Sequence, residues 1–327
     1  MTKRYRVGII GTGGISRAHS RGYIACEHTE IVAAADISEE QLKKYGDEFS
    51  VKSLYTDYME MLNKENIDIV SVCTWHKTHC EIVVNAAPYV KGIMCEKPMA
   101  LNLREADAMI EACDKANTKL AIGHQRRFAA GHVKGREMLQ QGEIGDLRFA
   151  WISSPPPLVG WGTHVVDLMR YYLGDVESVM GQIDVSKKER SIKHGEYNED
   201  VASAYIKFKS GKSGLFETES GQHKLYFFGE DGEIEAQVGG GLRVKTKGSA
   251  EWIHPSLEQI DHFTAEMYEL VAAIEEEREH LSSGREGRAA MEVLMAIFES
   301  SRRRKTIVLP LEEKEHPLEL MIEAGEI

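Results

Sequence analysis

From Tyr5 to about Gly123 the chain alternates without interruption between short β-rich runs and longer stretches with apolar residues at helical spacing. "YRVGII", "EIVAAAD", "IDIVSVCT", "GIMCE" and "KLAIGH" read as strands. "ISRAHSRGYIAC", "SEEQLKKYGDEF", "YMEMLNKE", "THCEIVVNAAP" and "LREADAMIEACDKA" read as the helices between them. Strands joined by helical crossovers lie parallel, so this half of the chain predicts a doubly wound parallel sheet.

After Leu147 the texture changes. "LRFAWISS", "VESVMGQIDV", "VASAYIKFK", "SGLFETES", "KLYFFGED", "GEIEAQV" and "GLRVKT" alternate apolar with polar residues, and turns such as "SGKSG" and "GEDGE" connect them. That is the pattern of a mainly antiparallel sheet with one buried face. Two helical stretches, "IDHFTAEMYELVAAIEEER" and "EGRAAMEVLMAIFESSRRR", follow, the second with cations at its C-terminal end as the helix dipole favours. The 327 residues, 42% of them hydrophobic, suit two domains.

Composition excludes several classes. The net charge of -12, with no Lys/Arg cluster interleaved with aromatics, would repel a phosphate backbone, so nucleic acid is not expected as a partner. The five cysteines are odd in number, fall within the first 113 residues and mostly sit in apolar runs, which reads as buried thiols in a reducing compartment. The stretch Met1 to Arg6 is basic, but "VGII" stops at Gly11, too short for a signal-peptide core, and no window reaches transmembrane length. A cytoplasmic protein without a membrane partner is expected.

The chemistry-bearing motifs fall at strand ends. "VGIIGTGGIS" sets Gly11, Gly13 and Ser16 in the order G-x-G-x-x-S between the first strand and a helix. Glycines there allow the tight turn and bring backbone N–H groups to a pyrophosphate, so Gly11, Thr12, Gly13, Gly14 and Ile15 are candidate cofactor contacts. The second strand ends at Asp36, whose carboxylate can accept from the adenosine ribose hydroxyls. No arginine follows it to pair a 2′-phosphate, which favours NAD over NADP.

"IMCEKPMAL", with "GTGGIS", "CTWHKTH", "GHQRRF" and "GTHVVDLMRYYLG" in the same order, resembles the Gfo/Idh/MocA oxidoreductases over essentially the whole chain. The resemblance implies a Rossmann dinucleotide-binding domain, residues 1–123, and a substrate-binding and oligomerisation α+β domain, residues 124–327, with the final helix free to pack back on the first. It implies an NAD-dependent enzyme that oxidises or reduces a secondary hydroxyl of a sugar, sugar acid or inositol, and a homodimer or homotetramer. The family lysine matches Lys97 and its acid/base histidine matches His164. Thr74 and His79 match its T-P-N-x-x-H pattern, with Trp75 and His76 replacing the usual residues.

Residue chemistry agrees with that assignment. A base titrating near neutral pH, His164, suits removal of a hydroxyl proton, and an ammonium, Lys97, suits an oxygen that gains negative charge. Glu96 is a candidate partner for Lys97 or for the cofactor. Gln125 and Arg126 should face the crevice, as cofactor and substrate contacts respectively, while Arg127 is the candidate for a domain-linking salt bridge. His76, His79 and Cys80 lack the carboxylate or thiol companions of a metal site, so none is expected.

One departure stands out. Many relatives carry an aspartate where this chain has Gly160, and the preceding segment "WISSPPPLVGWG" is short. Substrate contact is then expected from Trp161 and Thr163 beside His164, and Asp167 is spaced to orient the imidazole. A redox-neutral, NAD-dependent glycosidase and a non-catalytic NAD-binding regulator are the alternative functions.

Overall fold

The computed structural model describes residues 4–185, 192–193, 196–249, 251–258 and 260–327; the first three residues of the basic N-terminal stretch lie outside these. The first part of the chain runs β1 (Tyr5–Ile10), α1 (Gly14–Ala25), β2 (Thr29–Ala35), α2 (Glu39–Phe49), β3 (Ser53–Tyr55), α3 (Tyr58–Lys64), β4 (Ile69–Val72), α4 (His79–Ala86), β5 (Gly92–Cys95), α5 (Leu103–Ala116) and β6 (Lys119–Ile122). All its strands pair in parallel in the order β3-β2-β1-β4-β5-β6. The strand order reverses between β1 and β4, the point at which doubly wound sheets bind their ligands.

Ordinary capping starts most of these helices. Ser38 accepts from the Gln41 N–H, Asp57 from Met59 and Asn102 from Glu105. α1 differs: its cap is Gly13, no side chain accepts from its first turn, and that turn holds no acid. Its leading N–H groups and the positive end of its dipole therefore remain available to an anion.

The chain continues with α6 (Ala130–Gln140), β7 (Leu147–Ser153), α7 (Thr163–Leu173), β8 (Val176–Asp184), the short pair β9 (Ile192–Lys193) and β10 (Glu196–Tyr197), β11 (Val201–Phe208), β12 (Ser213–Glu217), β13 (Lys224–Gly229), β14 (Gly232–Gln237), β15 (Leu242–Thr246), α8 (His262–Glu275), α9 (Gly284–Arg303), β16 (Ile307–Val308) and α10 (Pro317–Glu323). An eight-stranded sheet has the order β15-β14-β13-β7-β12-β11-β8-β16. It is antiparallel except for the β7–β12 pair, which is parallel.

The chain separates into two compact units, residues 1–128 with 260–288, and residues 129–259 with 289–327. The first therefore includes α8, and the division falls inside α9. In the first unit Val7, Ile9, Tyr23, Ile69 and Met94 pack with Met267, Leu270 and Val271 of α8. Gly22 permits the close approach: a Cβ there would lie 3.2 Å from the Phe263 backbone.

In the second unit Ile152, Ile206, Phe216 and Phe227 are fully buried on one face of the sheet, and so are Leu168 and Met169 of α7. The other face carries a cross-strand row, Met180–Tyr205–Leu215–Trp151–Tyr226, in direct register over five strands. Met180, Tyr205 and Leu215 in that row are exposed, and Trp151 stacks on Tyr226 at 4.9 Å.

Candidate active site

The glycine turn after β1 is shaped by sterics. Gly11 has φ +89°, and a Cβ there would lie 2.8 Å from the Cys73 carbonyl carbon and from Thr74 Cγ2, so only glycine fits. At Gly13 and Gly14 a Cβ would meet nothing within 4 Å. A bare backbone facing open space at a helix start without an acid is the arrangement a pyrophosphate needs.

Asp36, just past β2, is tied into this turn. Its Oδ2 accepts from the Thr12 N–H at 2.6 Å and the Thr12 hydroxyl at 2.9 Å, while Oδ1 accepts from the Ser38 N–H at 2.9 Å. A carboxylate offers about four acceptor sites, which leaves capacity for ribose hydroxyls. Gly11, Gly13, Gly14, Ile15, Asp36, Thr74 and Trp75 line one cleft of about 790 Å³ in the first unit. Thr12 lies beneath it, fully buried. The donor set, the glycines and the carboxylate thus fit a dinucleotide.

Several further lining residues escaped the sequence reading, among them Ile37, Ser38, Tyr58 and Lys77. Each follows a strand end, the one signal that marks them. Ile37 is 95% exposed, an apolar wall of the kind a nucleobase covers. Trp75, 58% exposed, is a second such wall.

The E-K-P segment leaves β5 at the carboxyl end of the sheet. Lys97 is half-buried there. Glu96 is buried and turned inward: its Oε1 lies 2.8 Å from His19 Nε2, and its Oε2 accepts from the Lys97 N–H at 3.1 Å. Of its two expected partners, the cofactor and Lys97, it meets Lys97 through the backbone, and it lies off the lining of the cleft. Burial pulls His19 toward its neutral form, but the Cys73 sulfur and the Glu96 carboxylate outweigh this and hold it well above the ordinary histidine range. Burial likewise pushes Glu96 up, and His19 more than offsets it, so the carboxylate stays ionised.

His79 also lies off the cleft lining. It is buried, with Nδ1 3.0 Å from the Pro98 carbonyl and Nε2 3.1 Å from that of Thr74, and burial lowers its pKa. It ties the loop after β4 to the E-K-P loop. After β6 the chain makes a 3₁₀ turn, Gln125–Phe128. Gln125 is buried with its Oε1 unpaired among the described residues, and the Arg126 Nε is likewise buried and unpaired. Both are poised to bond a ligand. Arg127 bonds the Leu281 carbonyl at 2.7 Å and Glu286 at 2.8 Å, both in the first unit.

In the second unit a π-helical turn, Leu158–Gly162, leads into α7. The Pro157 carbonyl accepts from Gly160, Trp161 and Gly162, a wide turn of the kind found at functional sites. The Leu158 N–H, at its start, donates to the buried Glu199 Oε1 at 2.6 Å. Burial pushes the Glu199 carboxyl up to about 7. Thr163 and His164 follow, each 3% exposed, while Trp161 is 42% exposed and stands edge-on to His223 at 5.2 Å. At Gly160 a Cβ would come within 3.2 Å of the Pro157 ring.

Fold and cleft together define a dinucleotide-binding protein. Comparison narrows the class: residues 5–124 match the profile of the oxidoreductase family with an NAD-binding Rossmann fold, and residues 136–309 match that family's C-terminal alpha/beta domain. The chain belongs to the Gfo/Idh/MocA oxidoreductase family, and NAD is its cofactor. It is 32% identical to the myo-inositol 2-dehydrogenase of Thermotoga maritima over 251 residues, 71% of this chain and 75% of that protein. It is 23% identical to the inositol 2-dehydrogenase of Rhizobium meliloti over 328 residues, 92% of this chain and 98% of that one. Among solved structures, the aldose-aldose oxidoreductase of Caulobacter crescentus shares the fold at TM-score 0.86 and 23% identity, covering 94% of this chain and all of that one.

Proposed function

We propose that this protein oxidises a secondary hydroxyl of a sugar, sugar acid or cyclitol with NAD, using Lys97 and His164 as its catalytic pair. The observation that carries this reading is the dinucleotide cleft itself, with open glycines and an engaged Asp36, in a chain 32% identical to an enzyme that acts on myo-inositol. Bound NAD supplies the hydride-accepting nicotinamide. His164 takes the hydroxyl proton, and Lys97 holds the oxygen as negative charge develops on it. Arg126, Trp161 and Thr163 hold the substrate's other hydroxyls or its ring. Gly11, Thr12, Gly13, Gly14, Ile15, Asp36, Thr74 and Trp75 hold the cofactor or the loops around it; Gln125 contributes its amide, and His79 and Glu96 act by fixing the loop that carries Lys97. Asp36 would repel a 2′-phosphate, which supports NAD over NADP.

The test is NADH formation with NAD and a panel of inositols, hexoses, pentoses, sugar acids and glycosides, with NADP in parallel. One strong substrate with NAD supports the reading. Aglycone release without NADH points to a redox-neutral glycosidase, and tight NAD binding without any turnover to a regulator.

The exposed cross-strand row supports a homodimer or homotetramer formed through that sheet face, since an apolar strip across five strands is costly to leave in water. Trp151→Glu, which puts a charge in the middle of the strip, is expected to give monomers by light scattering. Among the described residues no helix is long and apolar enough to cross a membrane, and the cysteines are free thiols, which supports a reducing, cytoplasmic setting.

A further inference from the structure

The inward face of α1 is polar. Ser16, His19, Ser20 and Tyr23 recur at helical spacing and are all buried, whereas a helix packed on a sheet ordinarily turns apolar residues inward. Two of them bond away from the sheet: Ser16 bonds the Gly13 carbonyl at 2.7 Å, and Ser20 bonds the Ser16 carbonyl at 2.7 Å and the Tyr45 hydroxyl of α2 at 2.5 Å. His19 does not. Its Nδ1 lies 2.7 Å from the Ser71 hydroxyl on β4, and its Nε2 lies 2.8 Å from Glu96, beyond the end of β5.

Glu96 then passes the connection on, because its second oxygen accepts from the Lys97 N–H. The room for this is built in. A Cβ at Gly123, at the end of β6, would lie 3.0 Å from Glu96 Oε1, so glycine there leaves the carboxylate its place. Four elements therefore converge on one buried link: the helix that starts at the phosphate turn, β4, the end of β5 and the end of β6.

From this geometry we infer that His19 is a positioning residue, which through Glu96 fixes the backbone of Lys97 and couples the helix of the phosphate turn to the catalytic ammonium. The opposite charges of the pair, held in a buried setting, suit that role. A buried ion pair is geometrically demanding, and loss of one partner leaves the other uncompensated. His79, which bonds the Pro98 carbonyl, holds the same loop one residue further along. The inference rests on Lys97 being catalytic, as proposed above.

The test combines a readout on the cofactor-free protein with one on turnover. In His19→Phe, exchange of the Lys97 amide, followed by NMR without cofactor, should rise about tenfold or more, while the Val70 and Ile93 amides in the neighbouring strands change less than about twofold. kcat with NAD and myo-inositol, or with the best polyol of the panel, should fall about 10- to 100-fold, with the dissociation constant for NADH changed by less than about threefold. His19→Gln, which keeps a donor toward Glu96, should recover most of both losses and serves if the phenylalanine variant does not fold.

A double-mutant cycle completes the test. If His19 acts through Lys97, His19→Phe should cost little more in the Lys97→Ala background than that substitution costs alone. Unchanged Lys97 amide exchange, full additivity in the cycle, or a loss of NADH affinity matching the loss of turnover would overturn the inference. Full activity of Lys97→Ala, or silence across the panel, would instead defeat the proposed function, and the amide exchange still decides the role of His19.

Discussion

In the first unit the candidate residues sit on loops at the ends of parallel strands: Gly11 after β1, Asp36 after β2, Thr74 after β4, Lys97 after β5 and Gln125 after β6. In the second unit His164 sits on a helix that is buried along almost its whole length, and it is reached through a π-helical turn pinned by a distant carboxylate. Strand ends are set by hydrogen-bond register, so the first arrangement follows from local pattern. A buried helix is set by what packs around it, so the second depends on residues far away in the chain. The turn glycines of the cofactor half should therefore tolerate little change, and Gly160 in the substrate half more.

The largest expected effect tests whether both halves supply a catalytic group. Lys97→Ala and His164→Ala should each lower kcat about 10²-fold or more, read from steady-state NADH formation. Full activity in either would assign the chemistry to one unit alone. Next come the glycines. Gly11→Ala forces a positive φ and a clash with the Cys73 backbone, so it should cost about 1–3 kcal/mol in urea unfolding and at least about tenfold in NADH affinity by fluorescence titration. Gly160→Ala meets only a proline ring at 3.2 Å and should change either quantity little; equal sensitivity of the two glycines would erase the contrast.

A pH-dependent prediction concerns Glu199. Its folded pKa of about 7 lies above the ordinary 4.5, so between those values the unfolded chain has released a proton that the folded protein keeps. Stability then falls as pH rises through that window. Glu199→Gln, which still offers Leu158 an acceptor, should gain on the order of 2 kcal/mol at pH 8 and almost nothing at pH 4.5 in urea unfolding. A gain independent of pH would remove the carboxylate from the account. The smallest effect is at Trp161, whose replacement by Ala should raise KM for the polyol about three- to tenfold with kcat nearly unchanged.

Much of the cofactor half was legible in the sequence. The alternation of strand and helix foretold the parallel sheet, and G-x-G-x-x-S followed by Asp36 foretold the turn and its carboxylate. The short β3 and β16 went unread, since strands of two or three residues carry too few positions to show a period. The one parallel pair in the second sheet, β7 with β12, was also unreadable: these strands lie about sixty residues apart in the chain, and pairing direction leaves no mark on alternation.

What the sequence determined by itself is whatever short-range forces decide: the periods of its elements, the glycines that a tight turn needs, and the presence of a lysine at a strand end and a histidine at a helix head. Tertiary structure decided which buried polar groups meet. His19 reaches Glu96 across 77 positions, and the Leu158 N–H reaches Glu199 across 41. It also decided that Glu96 turns toward the core and that one face of the second sheet lines up an apolar row. Such pairings arise because a buried polar group must find a partner wherever folding brings one within reach, and no local pattern records where that will be.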